Sequence, residues 1–191
     1  MTSTSRANSS SPSRFALQFD EAQIPILALR YSYPREERLV SEIGPAVRDR
    51  GYYTRAEFLE VCEWKTARSK SRAAKNTEDE VREATRLALS VTAEPLRIWI
   101  PMALSGVSWP TASVLLHFGH HDRYPILDVR ALEALGVTQT VLYTLAFWSG
   151  YVTACRKIDD ETGYGMRTID RALWQWSKER SGAAKAGSAP G

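Results

Sequence analysis

The stretch LSGVSWPTASVLLHFGHHDRYPILDVRALEALG, from Leu104 to Gly136, decides how the rest of the chain is interpreted. It begins with a short turn around Gly106, continues into an apolar run with helical periodicity, and reaches Asp128 just before a second helical pattern. A glycine can adopt the positive φ that such a turn requires, and the free N–H groups at the start of the second helix attract anions. The turn is typical of an ordinary helical hairpin and is also compatible with phosphate binding.

Asp128 has two interpretations. An aspartate before a helix accepts hydrogen bonds from free N–H groups and favours the positive end of the helix dipole, so capping alone explains it. A preorganised carboxylate can also stabilise positive charge that develops in a transition state, so a catalytic role is the other interpretation. Its spacing from the glycine turn keeps the second interpretation open.

The pattern Leu-x-Gly-Val-x-x-x-Thr-Ala-x-x-Val-Leu, followed by Pro-Ile-Leu-Asp, resembles the helix–hairpin–helix DNA glycosylase superfamily, which includes endonuclease III, adenine glycosylases and 8-oxoguanine glycosylases. The resemblance rests on about 33 residues and implies that the hairpin binds the backbone of double-stranded DNA. It also implies that Asp128 is the catalytic carboxylate of base excision. The implied hairpin contacts are Gly106, Val107, Ser108, Trp109, Pro110 and Thr111.

Two positions of the hairpin depart from the family pattern. Bifunctional members carry a lysine where this chain has Pro110, so a Schiff-base lyase step is not expected unless another lysine substitutes. Ser108 stands in place of the second hairpin glycine. The resemblance therefore implies hydrolysis of the N-glycosidic bond of a damaged or mispaired base by a monofunctional enzyme. The alternatives are a non-catalytic DNA-binding protein on the same fold and a helical interaction protein in which Asp128 only caps.

A basic run, WKTARSKSRAAK, precedes the hairpin in the chain. It is either a solvated face or a surface that neutralises DNA phosphates, and Lys65, Arg68 and Lys70 are its candidate contacts. Base excision requires the nucleotide to be flipped into a pocket, often lined by aromatic groups. Trp64, beside the basic run, and Trp109, in the hairpin, are the candidates for that pocket, whereas Trp148, Trp174 and Trp176 are expected to be structural.

The fold class predicted from the remaining sequence is all-α. Capping boxes at Thr54 and Thr77 open two helices, and Gly51 is suited to end another. The run ILALRYSY near residue 30 is the one strand-like segment and is ambiguous. We expect a disordered arm over 1–14, a glycosylase-like domain over 15–180 with seven to nine helices, and a disordered tail over 181–191. The last two helices are expected from about 139 to 157 and near 167 to 179.

Composition excludes several classes. The chain has 43% hydrophobic and 25% charged residues and a net charge of +3, which is typical of a globular domain. No apolar run predicts a membrane span or a secretory signal, so a cytoplasmic location is expected. Cys62 and Cys155 form neither a disulfide framework nor the cysteine cluster of an iron–sulfur branch. The histidines at 117, 120 and 121, next to Asp122, match no established metal pattern, so neither a metal nor another cofactor is expected, and no protein partner is indicated.

Overall fold

The described part of the chain is built entirely from helices and loops. The structure is a computed structural model that describes residues 14–121 and 123–186, and no β-strand occurs within them. The all-α prediction is therefore confirmed. Ten α-helices occur in this part of the chain: α1 (Ile24–Leu29), α2 (Gly44–Arg50), α3 (Arg55–Lys65), α4 (Lys70–Ala73), α5 (Glu78–Ser90), α6 (Glu94–Trp99), α7 (Trp109–Gly119), α8 (Val129–Ala134), α9 (Leu145–Thr162) and α10 (Met166–Ala186).

Local sequence signals fix many of the helix boundaries. Thr54 and Thr77 both form complete capping boxes, in which the threonine hydroxyl accepts an N–H from the glutamate three residues later and that glutamate accepts the threonine N–H. Gly51 ends α2 with φ of 81°. These devices act within one turn of chain, so they were predictable without knowing the tertiary structure.

Three boundaries differ from the predictions. The strand-like run near residue 30 begins in α1. The helix expected from about residue 139 begins only at Leu145, where the Thr144 hydroxyl accepts the Phe147 N–H. The last helix continues to Ala186, so the predicted tail is helical over residues 181–186, where alanine and lysine favour helix. Most of the predicted arm and the last five residues lie outside the described residues.

Helix α7 is the central element of the fold. From Thr111 to Leu116 every residue is buried, and α7 packs against α2, α3 and α6. Helix α10 packs against α1, α8 and α9 and completes the second part of the core. The segment between α7 and α8 joins these two helical groups and carries Asp128. None of the described helices has both the length and the apolar character needed to cross a membrane.

Candidate functional site

The turn before α7 is held tightly against α4. Gly106 has φ of 82°, and a Cβ atom built there would lie 2.7 Å from the backbone nitrogen of Ala73. Asn76 fastens the turn from the other side: its Oδ1 accepts the Ser105 N–H at 2.7 Å, and its Nδ2 donates to the Ser105 carbonyl at 2.9 Å. Glycine is therefore required at 106 both for its backbone conformation and for close approach.

The first turn of α7 leaves polar groups available. Ser108 is the N-cap residue, and its side chain makes no capping hydrogen bond. The Thr111 hydroxyl is buried and has no hydrogen-bond partner among the described residues. Unsatisfied N–H groups at a helix start combine with the helix dipole to favour an anion.

Asp128 caps α8, as its sequence position predicted. It has extended backbone angles, and its Oδ1 accepts the Arg130 N–H at 2.9 Å. Its Oδ2 accepts a hydrogen bond from the Nζ of Lys65 at 2.7 Å, although the two residues are 63 positions apart. Capping thus uses one carboxylate oxygen, while the other lies against an amine from a different helix.

Buried hydrogen bonds fix the two residues that precede Asp128. The Leu127 N–H donates to the Ser113 hydroxyl of α7 at 2.8 Å, and the Ile126 N–H donates to Oδ1 of Asp170 at 3.1 Å. The Tyr151 hydroxyl donates to the Ile126 carbonyl at 2.7 Å. The position of Asp128 relative to the hairpin is therefore set by a side chain of the hairpin's own second helix.

The Lys65–Asp128 ion pair keeps the carboxylate ionised. Burial raises the pKa of Asp128, but the Lys65 ammonium and the hydrogen bonds from Lys65 and the Arg130 N–H outweigh that effect and leave the pKa below its ordinary value. The Lys65 side chain is 11% exposed and that of Asp128 is 28% exposed. At neutral pH the site therefore holds a carboxylate that remains partly open to solvent.

An open cleft of about 540 Å³ lies in front of this ion pair. The hairpin forms one wall through Gly106, Val107, Ser108, Pro110 and Thr111. The basic run and the α8 start form the remainder, with Lys65, Arg68, Arg72, Asp128, Val129 and Tyr143 among the lining residues. Arg68 and Arg72 are exposed and form no ion pair with another described residue.

A small recess of about 20 Å³ lies next to the same ion pair. Four aromatic side chains line it, together with Asp170 and the same Lys65 and Asp128: Tyr31, Tyr33, Trp64 and Trp174. Tyr33 packs edge-on against both Trp64 and Trp174, with ring centroids 5.1 and 5.4 Å apart. The recess holds about one water molecule, so a base enters only if its lining moves.

Two of the predicted site residues lie away from the cleft and the recess. Trp109 packs on Trp99, with ring centroids 5.0 Å apart, and lines neither space. Lys70 forms an ion pair with Glu63 at 2.9 Å and does not line the cleft. The other candidates, namely the rest of the hairpin, Lys65, Arg68 and Asp128, do meet there, while Trp64 lies in the recess.

Sequence reasoning missed several residues of the site. Tyr31, Tyr33, Tyr143 and Asp170 carried no local signal, and Trp174 was expected to be structural. Arg72 was visible only as a member of the basic run. The helical spacing of Arg68 and Arg72, four residues apart, was the available sign that both face one side.

The histidines are explained by local contacts. The ring Nδ1 of His117 lies 2.6 Å from the Tyr124 carbonyl and donates to it, and burial followed by the charge of Arg167 lowers the pKa of His117 to about 3. Within residues 14–121 and 123–186, no group of three or more His, Cys, Asp or Glu side chains could hold a metal ion. Asp122 lies outside the described residues.

The chain was compared with known proteins at three levels. Protein-family models, curated proteins and solved structures each gave no match.

Proposed function

We propose that this protein binds duplex DNA in the cleft and hydrolyses the N-glycosidic bond of a damaged or mispaired base, with Asp128 as the essential carboxylate. The observation that carries the proposal is the meeting of three features in one cleft: the hairpin, two arginines without an ion-pair partner among the described residues, and the ionised Asp128. Each feature alone has a structural explanation. Together they provide anion binding and a carboxylate at adjacent positions.

The cleft wall supports phosphate binding. A phosphate at the start of α7 would accept hydrogen bonds from first-turn N–H groups and would give the buried Thr111 hydroxyl a partner. Arg68 and Arg72 line the same cleft, Arg72 next to Gly106, and neither forms an ion pair with another described residue. Guanidinium groups suit phosphate oxygens because they donate in a planar fork.

The geometry of Asp128 supports a role in breaking the glycosidic bond. As the base departs, positive charge develops on the sugar, and a fixed negative carboxylate stabilises that charge. The hydrogen bonds from Arg130, Leu127 and Ile126 hold Asp128 and its flanking backbone in place before DNA arrives. Movement of Lys65 toward a phosphate would free Oδ2 to face the sugar or to orient water.

The aromatic recess supports a place for the extruded base. Tyr33, Trp64 and Trp174 provide ring faces and edges in the same recess that Asp128 lines. A base stacked there would leave its sugar next to Asp128. Opening of the recess is part of the proposal, because its present volume of about 20 Å³ is far smaller than a base.

The small volume of the recess also favours a second candidate function, a DNA-binding protein that does not excise bases. In that case the Lys65–Asp128 ion pair remains intact on DNA and only the cleft is used. The two functions predict equal salt sensitivity of duplex binding. They differ in whether any base is released.

Incubation with duplexes that carry uracil, alkylated, oxidised or mismatched bases separates the two functions. The proposed enzyme releases a base from at least one duplex of the panel, and Asp128→Asn reduces that release. Salt-sensitive binding with no release from any duplex would favour the non-catalytic candidate. Equal release by wild type and Asp128→Asn would remove Asp128 from the chemistry.

A further inference from the structure

Lys65 is the one lysine among the described residues that lines the cleft or the recess, and it lines both. It lies at the C-terminal end of α3, far in sequence from the hairpin. The Tyr33 hydroxyl donates to the Trp64 carbonyl at 2.8 Å and so fixes the end of α3 next to Lys65. A primary amine is thus held at the boundary between the two spaces.

The product of the proposed function makes this amine chemically significant. Removal of a base leaves an abasic sugar, whose ring-opened form has an aldehyde at C1′. A primary amine condenses with an aldehyde to form an imine, whereas neither a guanidinium group nor the Pro110 side chain can do so. The aldehyde would form at the carboxylate that lies 2.7 Å from Nζ.

We propose that Lys65 forms a Schiff base with the abasic site and that the protein thereby cleaves the DNA strand by β-elimination. This proposal rests on the proposed function for its substrate and adds a second activity to the same site. The amine comes from α3 and not from the hairpin, where Pro110 stands.

Each step balances with the groups present. The Lys65 ammonium gives a proton to Asp128 or through it to solvent, and Nζ then bonds to C1′ while the aldehyde oxygen takes up protons and leaves as water. Asp128 or solvent then takes a proton from C2′, the C2′–C3′ double bond forms and the bond between C3′ and its oxygen breaks, so that the downstream strand departs with its 5′ phosphate. Water then hydrolyses the imine and restores the amine, and no oxidant or reductant is required.

The environment of Lys65 distinguishes it from the other basic-run amine that was a candidate for DNA binding. Lys70 is 60% exposed and pairs with Glu63 outside the cleft, whereas Lys65 is 11% exposed and its partner is Asp128. A nucleophilic amine benefits from a neighbouring carboxylate that can accept and return its proton. Lys65 has that neighbour in the cleft.

Trapping on a duplex with a preformed abasic site tests this proposal without requiring base release. The protein is incubated with the duplex and sodium borohydride, which reduces the imine to a stable amine cross-link. The variant is Lys65→Arg, which keeps the positive charge beside Asp128 but has no primary amine. The matched control is Lys157→Arg, because Lys157 is exposed on α9 and pairs with Glu161.

The expected result is a covalent complex with wild type and Lys157→Arg and a loss of roughly tenfold or more with Lys65→Arg. Peptide mapping should place the adduct on Lys65. No cross-link with wild type, equal trapping of Lys65→Arg, or an adduct on another amine would overturn the proposal. Base release without trapping would leave the proposed function standing, whereas trapping without release from any lesion would overturn the proposed function alone.

Discussion

The cleft and the recess share one ion pair in their linings, yet they differ in size and in the residues that line them. The cleft holds about 540 Å³ and is lined by hairpin residues and by two arginines that form no ion pair with another described residue. The recess holds about 20 Å³ and is lined mainly by aromatic rings. Lys65 and Asp128 line both. Under the proposed function, the cleft would hold the phosphate backbone, the recess would hold the base, and the reacting sugar would lie between them.

Asp128 and Asp170, the two carboxylates that line the recess, have pKa values shifted in opposite directions. Asp128 faces the cleft, and its pKa is lowered because Lys65 and two hydrogen bonds outweigh burial. Asp170 lies in the recess wall, where burial raises its pKa to about 6 despite the opposing charges of Arg167 and Lys65. The pKa values of these two aspartates are thus shifted in opposite directions, because the favourable charge and hydrogen bonds outweigh burial at Asp128 and do not at Asp170.

The largest expected effect on stability comes from substituting Gly106, in the turn that forms one wall of the cleft. In Gly106→Ala the alanine must adopt a positive φ, and its Cβ would lie 2.7 Å from the Ala73 nitrogen. The free energy of unfolding should therefore fall by roughly 3 kcal/mol or more. Gly51→Ala is the matched control, since Gly51 has φ of 81° and open space around it, and should cost roughly 1 kcal/mol. Equal losses in denaturant unfolding would contradict the close packing of the turn.

The next expected effect is a pH-dependent change in stability caused by Asp170, which lines the recess. Because the folded pKa of Asp170 is about 6 and the unfolded value is about 3.9, the stabilising contribution of its protonated form is full below about pH 4 and is lost as pH rises through 6. The stability of wild type relative to Asp170→Asn should therefore fall by up to about 3 kcal/mol across that interval. The titration of His117 contributes to the stability of both proteins and cancels in the difference between them. A difference that stays constant with pH would contradict the raised pKa of Asp170.

Truncation of the recess should affect chemistry more than binding. Trp174→Ala removes a ring available for base stacking, so single-turnover release should fall roughly tenfold to a hundredfold while duplex affinity is unchanged. Trp176→Ala is the control, because Trp176 is similarly half-buried on α10 but stacks on Phe19. Equal losses in the two variants would mean that Trp174 acts only through stability.

The smallest effect is expected from substitutions in the cleft, which should weaken duplex binding more than they slow base release. Arg68→Ala combined with Arg72→Ala should weaken duplex binding roughly tenfold and reduce the magnitude of the log–log salt slope by about 2. The control removes two charges elsewhere, through Arg82→Ala with Lys157→Ala, at residues that pair with Asp79 and Glu161. An unchanged salt slope in the cleft variant would place DNA on another surface.

The parts of this arrangement that could be predicted from sequence are those made by neighbouring residues. The Asp128 cap, the positive φ of Gly106 and the Thr54 capping box each depend on contacts within a few positions. The contact between Lys65 and Asp128 spans 63 positions, and the support of Ile126 by Asp170 spans 44. Such contacts depend on how helices pack, which a single sequence does not encode locally. Trp174 shows the same limit, because its helical pattern is compatible with both a core and a recess position.

The central claim is that Asp128 performs chemistry in addition to capping α8, and single-turnover base release by Asp128→Asn tests it most directly. Asparagine caps nearly as well as aspartate, so the variant should still fold and bind duplex DNA. Loss of the charge that stabilises the sugar should lower the release rate by roughly a hundredfold to a thousandfold. Asp20→Asn changes an exposed cap that accepts the Ala22 N–H at 2.9 Å and should leave the rate unchanged. Release by Asp128→Asn at the wild-type rate would contradict the account and leave Asp128 with its capping role alone.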